Sequence, residues 1–491
     1  MTLEIPAIPA GTNRQLKTDE MTDYKIKFGT DGWRAVIGEG FTFANLELVT
    51  RATARWLKKN YGNAPRVVIG YDTRFLGKEF SQSVARVFAD EGITSILSST
   101  FTTTPAVSWA AKEFGCNAGI VITASHNPPK YSGFKIKADF GGPATPEMID
   151  AVEDELSGVA IKPINYSFED YVAAGRVELK DLSSEFKAML SRSIDLESIK
   201  ASGIRIAHDA MFGAGQGFFS SLLDESQVVE LHADWNPGFH GNAPEPIEKN
   251  LAELVDTVVK RKCDVGIAND GDADRIGMTD EKGEFVSSHL LLALLVKYLH
   301  TEKGLTGGIV KTFSTTHMLD KMGKAYGLPV DTTKIGFKYI ASKIVEGDVL
   351  VGGEESGGMA VKGHIPERDG VYIGLLMLEM MVRREKKLSE LVDELYDEFG
   401  SHYWHRVDVH TTEAAKQKVL KRLKEDGGLT AVDRQAVVDF QTLDGYKHIT
   451  DHGWLLVRPS GTEPVLRVYS EAQTQEKAVG LVEDAIKQLG V

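Results

Sequence analysis

Three aspartates stand at alternate positions in the stretch NDGDADRIG, residues 269–277. Because successive side chains of an extended segment point to opposite sides, Asp270, Asp272 and Asp274 should converge on one side. Three clustered carboxylates repel one another unless a cation lies among them, and hard oxygen ligands suit Mg²⁺. The spacing therefore predicts a magnesium site on this loop.

Two other interpretations of the acidic stretch have less support. An EF-hand calcium loop would explain Glu281 at its twelfth position, but the sixth position needs glycine and holds Arg275. The flanking segments CDVGIA and RIGMTD are also typical of strands rather than helices. A solvated acidic turn is the second alternative, and metal binding is favoured over both.

The stretch VRPSGTEP, residues 457–464, has the composition of an anion-binding loop. Arg458 offers a guanidinium fork, and Gly461 would let backbone amides turn toward an anion. Ser460 and Thr462 add two hydroxyls. The pattern favours phosphate binding over a glycine turn with incidental hydroxyls.

The stretch VGGEESGG, residues 351–358, has the polar groups to bind a sugar. Adjacent Glu354 and Glu355 would point opposite ways in an extended chain, which makes them a poor acid–base pair for glycoside hydrolysis. Glu354 and Ser356 are two apart and can face one ligand. The alternative is a glycine-rich loop with surface acids.

The stretch TASHNP, residues 123–128, places Ser125 beside His126 and suggests a hydrolytic nucleophile with its base. Adjacent side chains do not usually face each other, so we expect His126 to be a poor base for Ser125. No G-x-S-x-G elbow surrounds the serine, and no G-x-x-x-x-G-K-[ST] phosphate loop occurs. GAGQGF, residues 213–218, is only an imperfect dinucleotide motif.

These polar stretches follow segments that are typical of buried strands. The predicted strands are VVIGYD (67–72), AGIVITA (118–124), IRIAHDA (204–210), DVGIAND (264–270) and VLVGGEE (349–355), and helices are predicted over 79–92 and 250–262. Alternating strands and helices predict an α/β fold, in which ligands gather beyond the carboxyl ends of the strands.

The length of 491 residues suggests three or four domains. We predict a flexible N-terminal tail over 1–20, followed by domains at 21–165, 166–285, 286–400 and 401–491. These carry, in order, the serine loop, the metal loop, the sugar loop and the phosphate loop. The last segment combines strand, helix and further strands, which indicates a separate α+β unit.

The overall composition excludes several classes of protein. The net charge of −14 argues against nucleic acid as a partner. Two distant cysteines, Cys116 and Cys263, exclude a disulfide framework and favour the cytoplasm. No secretory signal is visible, and the apolar run 290–296 is too short for a membrane span, so we expect no membrane association.

Taken in order, these motifs resemble those of the α-D-phosphohexomutase family. The resemblance covers nearly the whole chain from about Phe28, through FGTDGWR, TASHNPPKYSGFK, DGDADR, GGEESGG and RPSGTEP. It implies four domains around a central cleft, three of similar α/β topology and a smaller fourth that closes over the substrate phosphate.

The resemblance also implies a role for each motif. Ser125 would carry a phosphoryl group, give it to a phosphosugar to form a bisphosphate, and take back the other phosphate, with His126 as a neighbour of that phosphate. Mg²⁺ would be held by Asp270, Asp272, Asp274 and a phosphoserine oxygen. The other implied site residues are Lys135 for proton handling, Arg34 and Arg275 as active-site arginines, Glu354 and Ser356 for the sugar hydroxyls, and Arg458, Ser460, Gly461 and Thr462 for phosphate.

Substrate preference and the general acid are less well defined. GEES resembles phosphoglucomutases rather than the GEMSGH or GEQSGH of mannose- and glucosamine-type members, and GFK, ending at Lys338, also resembles the glucose branch and suggests a substrate contact. Where phosphoglucomutases carry lysine before Asp-Gly this chain has Arg368, which does not readily give up a proton. Gly358 likewise replaces a histidine. His364 and Lys135 remain the candidates for the general acid.

The sequence thus predicts a Mg²⁺-dependent phosphoglucomutase that interconverts glucose 1-phosphate and glucose 6-phosphate through glucose 1,6-bisphosphate. Alternatives within the family are a phosphomannomutase, a dual-specificity mutase or a glucose 1,6-bisphosphate synthase. Alternatives from other classes are a sugar-phosphate phosphatase and a non-catalytic sensor, and a sensor would not need the nucleophile and the metal ligands. We expect a monomer or a homodimer.

Overall fold

The computed structural model describes residues 24–29, 31–460 and 464–491. The predicted tail at residues 1–20 lies outside these residues, as do Gly461 and Thr462 of the predicted phosphate loop. The described chain forms four sheets of four to six strands, with a further two-stranded ribbon in the last domain. Within the described ranges, no helix has the length and apolarity that a membrane span requires.

The first domain is a six-stranded sheet with helices on both faces. Its elements are β1 (Trp33–Val36), α1 (Phe43–Tyr61), β2 (Arg66–Tyr71), α2 (Gly77–Asp90), β3 (Thr94–Ser98), α3 (Thr104–Glu113), β4 (Ala118–Ile122), β5 (Tyr131–Ala138), α4 (Pro146–Leu156), α5 (Phe168–Ala173) and β6 (Val177–Lys180). The strand order is β1-β5-β4-β2-β3-β6. Val67 and Val68 of β2 enter different cores, because both faces of the sheet are covered. Since β6 pairs with β3, this sheet extends beyond residue 165, the predicted end of the first domain.

The second domain holds the acidic loop in a hairpin. Its elements are α6 (Leu182–Ser193), α7 (Leu196–Ser202), β7 (Ile206–Asp209), α8 (Phe218–Leu222), β8 (Val228–Leu231), α9 (Ala252–Arg261), β9 (Val265–Asn269), β10 (Ile276–Thr279) and β11 (Phe285–Val286). The order β11-β10-β9-β7-β8 makes β9 the central strand, and all five of its residues are buried. The turn from β9 into the antiparallel β10 carries the three aspartates.

The third domain places the sugar loop after a central parallel strand. Its elements are α10 (Ser288–Lys297), β12 (Gly308–Thr312), α11 (Met318–Tyr326), β13 (Val330–Thr333), α12 (Phe337–Glu346), β14 (Val349–Gly353), β15 (Met359–Val361), α13 (Gly370–Arg384) and α14 (Leu388–Phe399). Val121, Ile267 and Leu350, one from each of the first three sheets, belong to one continuous core. The first three domains therefore hold their loops in a fixed relation.

The fourth domain is an antiparallel sheet backed by two helices. Its elements are β16 (Tyr403–His410), α15 (Glu413–Glu425), β17 (Ala431–Val432), β18 (Gln435–Ala436), β19 (Asp439–Gln441), β20 (Tyr446–Thr450), β21 (Gly453–Pro459), β22 (Val465–Ala472) and α16 (Gln475–Leu489). The order β16-β22-β21-β20-β19 gives the predicted α+β unit.

A buried lysine joins the fourth domain to the third. The Lys447 Nζ donates to the Phe313 carbonyl at 2.9 Å and lies 4.0 Å from the centre of the Trp454 ring. On the same interface the His317 amide donates to the Glu471 carboxylate at 2.9 Å. Burial, assisted by nearby Lys311, lowers the pKa of Lys447 to about 7.

This shifted lysine should make stability depend on pH. Above about pH 7 the folded protein has lost the Lys447 proton, whereas the unfolded chain keeps it to about pH 10. The unfolded state then binds more protons, so stability rises as the pH rises from 7 toward 10. We expect Lys447→Met to reduce the gain in Tm between pH 7 and 9, measured by thermal unfolding. Lys421→Met, at an exposed position, should behave like wild type; equal gains in all three proteins would contradict this assignment.

Candidate active site

Ser125 lies in a tight turn after β4 and points at the metal loop. Its backbone has a left-handed φ of 52°, and its side chain is buried. The Ser125 Oγ donates to Asp270 Oδ2 at 2.7 Å. The close approach needs glycine at position 271, where a Cβ would lie 2.5 Å from the Ser125 carbonyl oxygen. The predicted nucleophile and the first predicted metal ligand are therefore in direct contact.

The three aspartates of the β9–β10 turn come together as a buried cluster. One oxygen from each of Asp270, Asp272 and Asp274 lies within 4.8 Å of the others, and all three side chains are inaccessible to solvent. Asp272 Oδ1 and Asp274 Oδ1 have no hydrogen-bond partner among the described residues. Buried, unpartnered carboxylate oxygens are costly unless they bind a cation, so the cluster fits Mg²⁺.

Lys135 is the cation that lies among these carboxylates. The Lys135 Nζ is 2.8 Å from Asp272 Oδ2, 3.1 Å from Asp274 Oδ2 and 2.8 Å from Asp31 Oδ2. Burial alone would lower the pKa of Lys135, but the three carboxylates outweigh it and raise the pKa above its ordinary value. Burial would likewise raise the pKa of Asp272, yet Lys135 and the Thr104 hydroxyl hold that pKa below its usual range.

The position of His126 corrects one expectation from the sequence. The His126 Nδ1 lies 3.3 Å from the Ser125 Oγ, although adjacent side chains were expected to point apart. The left-handed backbone of Ser125 turns its side chain toward the following residue. Burial, with Arg275 and Arg34 nearby, lowers the pKa of His126 well below its ordinary value, so its imidazole is neutral.

Arg34 and Arg275 lie at the edges of this cluster. The Arg34 Nη1 donates to the Asn127 side-chain oxygen at 2.6 Å, and its Nη2 is 3.8 Å from Asp31 Oδ2. The Arg275 Nε is 3.9 Å from Asp274 Oδ1. Both side chains keep some solvent exposure, at 22% for Arg34 and 12% for Arg275. They can therefore meet an anion that enters beside Ser125.

Arg368 links the sugar loop to the metal loop and to Asp31. The Arg368 Nη2 is 2.5 Å from Asp31 Oδ2 and 2.7 Å from Asp274 Oδ2, and its Nη1 is 3.9 Å from Glu354 Oε2. The arginine crosses the space that a side chain at Gly358 would fill, since a Cβ there would clash with the Arg368 Cδ. Burial raises the pKa of Glu354 to about 7.

His364 and Lys338 are not joined to the cluster by any described contact. The His364 Nε2 is 2.8 Å from Asp369 Oδ2, and its ring stacks on Tyr372 with centroids 4.0 Å apart. Lys338 lies in the first turn of α12 and its ammonium lies over the Tyr339 ring. The Ser356 Oγ is buried, and no hydrogen-bond partner reaches it within the described ranges.

The described part of the phosphate loop includes the end of β21, where Arg458 lies, and Ser460 directly after it. The Arg458 Nε is 3.1 Å from Asp444 Oδ1, and the side chain is 20% exposed. The Ser460 backbone carbonyl accepts a hydrogen bond from the Lys416 Nζ at 3.3 Å. Asp444 also accepts from the Ile335 amide, so this loop lies beside the third domain.

Several residues of the site were not singled out in the sequence. Asp31 stands in FGTDGWR, three residues before Arg34, and bonds to Lys135 and Arg368. Thr104, the first residue of α3, donates its hydroxyl to Asp272 Oδ2 at 2.5 Å. Neither residue belongs to a local pattern that marks it as functional. The position of Asp31 within FGTDGWR, a stretch that resembles the family, was nevertheless a signal available in the sequence.

All four domains match models of one known family. The phosphoglucomutase/phosphomannomutase α/β/α domains I, II and III match residues 25–160, 184–283 and 287–399, and the C-terminal domain of the same family matches 407–488.

Individual relatives give the same result. A Thermococcus kodakarensis protein named phosphoglucomutase/phosphomannomutase is 32% identical over 469 residues, which cover 94% of this chain and 98% of the relative. A Pyrococcus abyssi protein named as a probable phosphoglucosamine mutase is 31% identical, covering 94% and 97%. The crystal structure of a Thermus thermophilus protein named as a putative phosphomannomutase matches with a TM-score of 0.83 at 33% identity, over 95% of this chain and 99% of that one.

The chain therefore belongs to the phosphohexomutase family, whose members are isomerases that transfer a phosphoryl group within a sugar phosphate. The four-domain fold expected from the sequence is confirmed. The names of the relatives differ in the sugar, and they leave the substrate of this chain open.

Proposed function

We propose that the protein is a phosphoglucomutase that interconverts glucose 1-phosphate and glucose 6-phosphate through a phosphorylated Ser125. The observation that carries the proposal is the Ser125 Oγ, 2.7 Å from Asp270 in a buried cluster of three aspartates. A hydroxyl beside a cation site is the arrangement that phosphoryl transfer needs.

The reaction consists of two phosphoryl transfers. In the first, a hydroxyl oxygen of the sugar phosphate forms a bond to the phosphorus of phosphoserine, the Ser125 Oγ–P bond breaks, and glucose 1,6-bisphosphate results. In the second, the bisphosphate presents its other phosphate, the Oγ–P bond forms again, and the opposite sugar–phosphate bond breaks. In the first transfer the proton lost by the sugar hydroxyl ends on the Ser125 Oγ, and in the second the Oγ gives up that proton and the new sugar hydroxyl gains one.

We assign proton handling to Lys135 rather than His364, because a cation held by Asp272 and Asp274 would offset the carboxylate charge that raises the pKa of Lys135. The Lys135 ammonium touches two of the proposed metal ligands, whereas His364 is bonded to Asp369 and stacked on Tyr372. Arg368 remains a cation and supplies charge next to Asp274 rather than a proton.

Asp270, Asp272, Asp274 and an oxygen on Ser125 would hold Mg²⁺, and the ion would neutralise charge on the phosphoryl oxygens. Glu354, Ser356 and Lys338 would contact the sugar, while Arg34 and Arg275 would meet the phosphoryl group at Ser125. Arg458, Ser460, Gly461 and Thr462 would hold the distal phosphate. The Arg458 side chain is partly exposed, which leaves it accessible to a ligand.

We favour glucose over other sugars as the substrate, because the GEES and GFK stretches resemble those of phosphoglucomutases. The names of the relatives favour a mannose or glucosamine phosphate as the second candidate.

The purified protein should be assayed on the 1-phosphates of glucose, mannose, glucosamine and N-acetylglucosamine, with and without the matching bisphosphate. Free phosphate should be followed in the same reactions. Fastest turnover on glucose 1-phosphate without phosphate release is expected; faster turnover on another sugar would contradict the glucose assignment, and phosphate release would indicate a phosphatase.

Removing the Arg458 guanidinium should weaken substrate binding. A charge-assisted hydrogen bond contributes roughly 1.5–3 kcal/mol, so Arg458→Ala should raise KM for glucose 1-phosphate by about 10- to 100-fold. Arg458→Lys should recover only part of the loss because it lacks the planar fork. Arg422→Ala, on helix α15 of the same domain, is the control and should leave KM unchanged. An unchanged KM in Arg458→Ala would remove Arg458 from the phosphate site.

A further inference from the structure

A second buried arginine, Arg74, holds the turn that carries Ser125. Its side chain is inaccessible to solvent and lies in the connection between β2 and α2. The Arg74 Nη2 donates to the carbonyls of Ser125 and Asn127, both at 2.6 Å. The Nη1 donates to the carbonyls of Pro128 and Tyr131, both at 3.0 Å. One guanidinium thus binds four carbonyl oxygens of a single turn.

Asp72 fixes this guanidinium and continues the network to Ser125 itself. The Arg74 Nε is 3.1 Å from Asp72 Oδ2, which also accepts from the Thr123 hydroxyl at 2.6 Å. The Thr123 Oγ1 in turn accepts from the Ser125 amide at 2.8 Å. The backbone of Ser125 is therefore held at its carbonyl by Arg74 and at its amide by Thr123, whose hydroxyl is bonded in turn to Asp72.

The second domain closes the remaining face of Arg74. The guanidinium carbon lies 4.9 Å from the centre of the Phe239 ring. Next to it, the Thr73 hydroxyl donates to the Phe212 carbonyl at 2.7 Å, which ties the β2–α2 connection to the domain that carries the aspartates. The Ser125 turn and the metal loop are thereby held in one register.

We propose that Arg74, fixed by Asp72, is a positioning residue that keeps the left-handed Ser125 in the orientation from which its Oγ reaches the metal site. The left-handed φ of 52° is unfavourable for serine and persists only where surrounding contacts enforce it. The guanidinium has five N–H donors in a fixed fork, whereas a lysine ammonium has three on one nitrogen and cannot reach Asp72 and all four carbonyls at once. The inference rests on the proposed phosphoserine chemistry.

The test compares Arg74→Lys with Arg51→Lys. Arg51 is an equally buried arginine of the same domain, bonded to Glu47, Asp90 and Glu91. Because a displacement of about 1 Å can cost on the order of 100-fold in rate, Arg74→Lys should lower kcat by about 10- to 100-fold. KM for the sugar phosphate should change little, and the ³¹P resonance of phosphorylated Ser125 should shift. Arg51→Lys should lose thermal stability while keeping the wild-type kcat and ³¹P resonance.

A folded Arg74→Lys with wild-type kcat and ³¹P resonance would overturn the proposal, as would equal losses of kcat in both variants. If Arg74→Lys does not fold, Thr123→Val decides, because it removes the hydroxyl link between Asp72 and the Ser125 amide. A lowered kcat and a shifted resonance in Thr123→Val support the proposal, and wild-type values overturn it. Failure of the proposed function would give a different result: the wild-type protein itself would take no phosphoryl group onto Ser125 from glucose 1,6-bisphosphate.

Discussion

Ser125→Ala is expected to abolish mutase turnover and to leave the protein folded. Alanine cannot carry the phosphoryl group, so neither transfer can occur, and kcat should fall by at least about 10³-fold. The substitution removes one hydroxyl, with its contacts to Asp270 and His126, from a turn whose backbone is held by Arg74. Conversion of glucose 1-phosphate, measured with a glucose 6-phosphate-dependent coupling enzyme, checks the loss.

A nearby serine provides the control. Ser132 is buried in β5 of the same domain, and its Oγ has no hydrogen-bond partner among the described residues. Ser132→Ala should therefore keep both the Tm and the activity of wild type. Full activity in Ser125→Ala would refute the phosphoserine mechanism. The Tm values of Ser125→Ala and Ser132→Ala must also be compared, because a variant that has unfolded loses activity whatever its mechanism.

Asp272→Asn is expected to remove the activity that depends on Mg²⁺. The substitution replaces an anionic ligand with a neutral amide and takes away a counter-charge of Lys135. Loss of supporting groups around a metal already costs about 10- to 100-fold in affinity or activity, so loss of a direct ligand should cost at least about 100-fold. Activity measured against Mg²⁺ concentration, with Mn²⁺ binding followed by electron paramagnetic resonance, gives both quantities.

Asp280→Asn is the matched control for the metal site. Asp280 is buried in the same domain, but its carboxylate accepts the backbone amides of Lys282 and Glu284 and lies outside the aspartate cluster. The variant should keep the Mg²⁺ dependence of wild type. If Asp272→Asn also kept it, the assignment of the aspartates to the metal would be wrong.

The geometry within each motif follows from short-range rules. Asp270, Asp272 and Asp274 lie together because alternate residues of an extended loop share one side. The loops after β4 and β9 are joined by the contact between Ser125 and Asp270, as is expected at the carboxyl ends of strands. Arg368, which follows β15, links Asp274 to Glu354 in the loop after β14. Such features could be predicted without the structure because they depend on local spacing and on the α/β arrangement.

The relations between motifs could not be predicted in this way. Arg74 binds carbonyls more than fifty residues away, and Arg368 reaches Asp31 across 337 positions of sequence. His364 and Arg368 are four residues apart, yet only Arg368 touches the cluster, because the chain turns between them. The contact between Ser125 and His126 depends on one backbone angle that composition does not encode.

The central claim is that Ser125 carries the phosphoryl group during a mutase reaction on glucose phosphates. Its most direct test is mass spectrometry of the protein after incubation with glucose 1,6-bisphosphate and Mg²⁺, with the sugar products measured in the same sample. The account predicts one added phosphoryl group on the peptide that contains Ser125, glucose monophosphates as the products and no free phosphate. An unmodified Ser125 peptide, or a phosphoryl group on another residue, would contradict it.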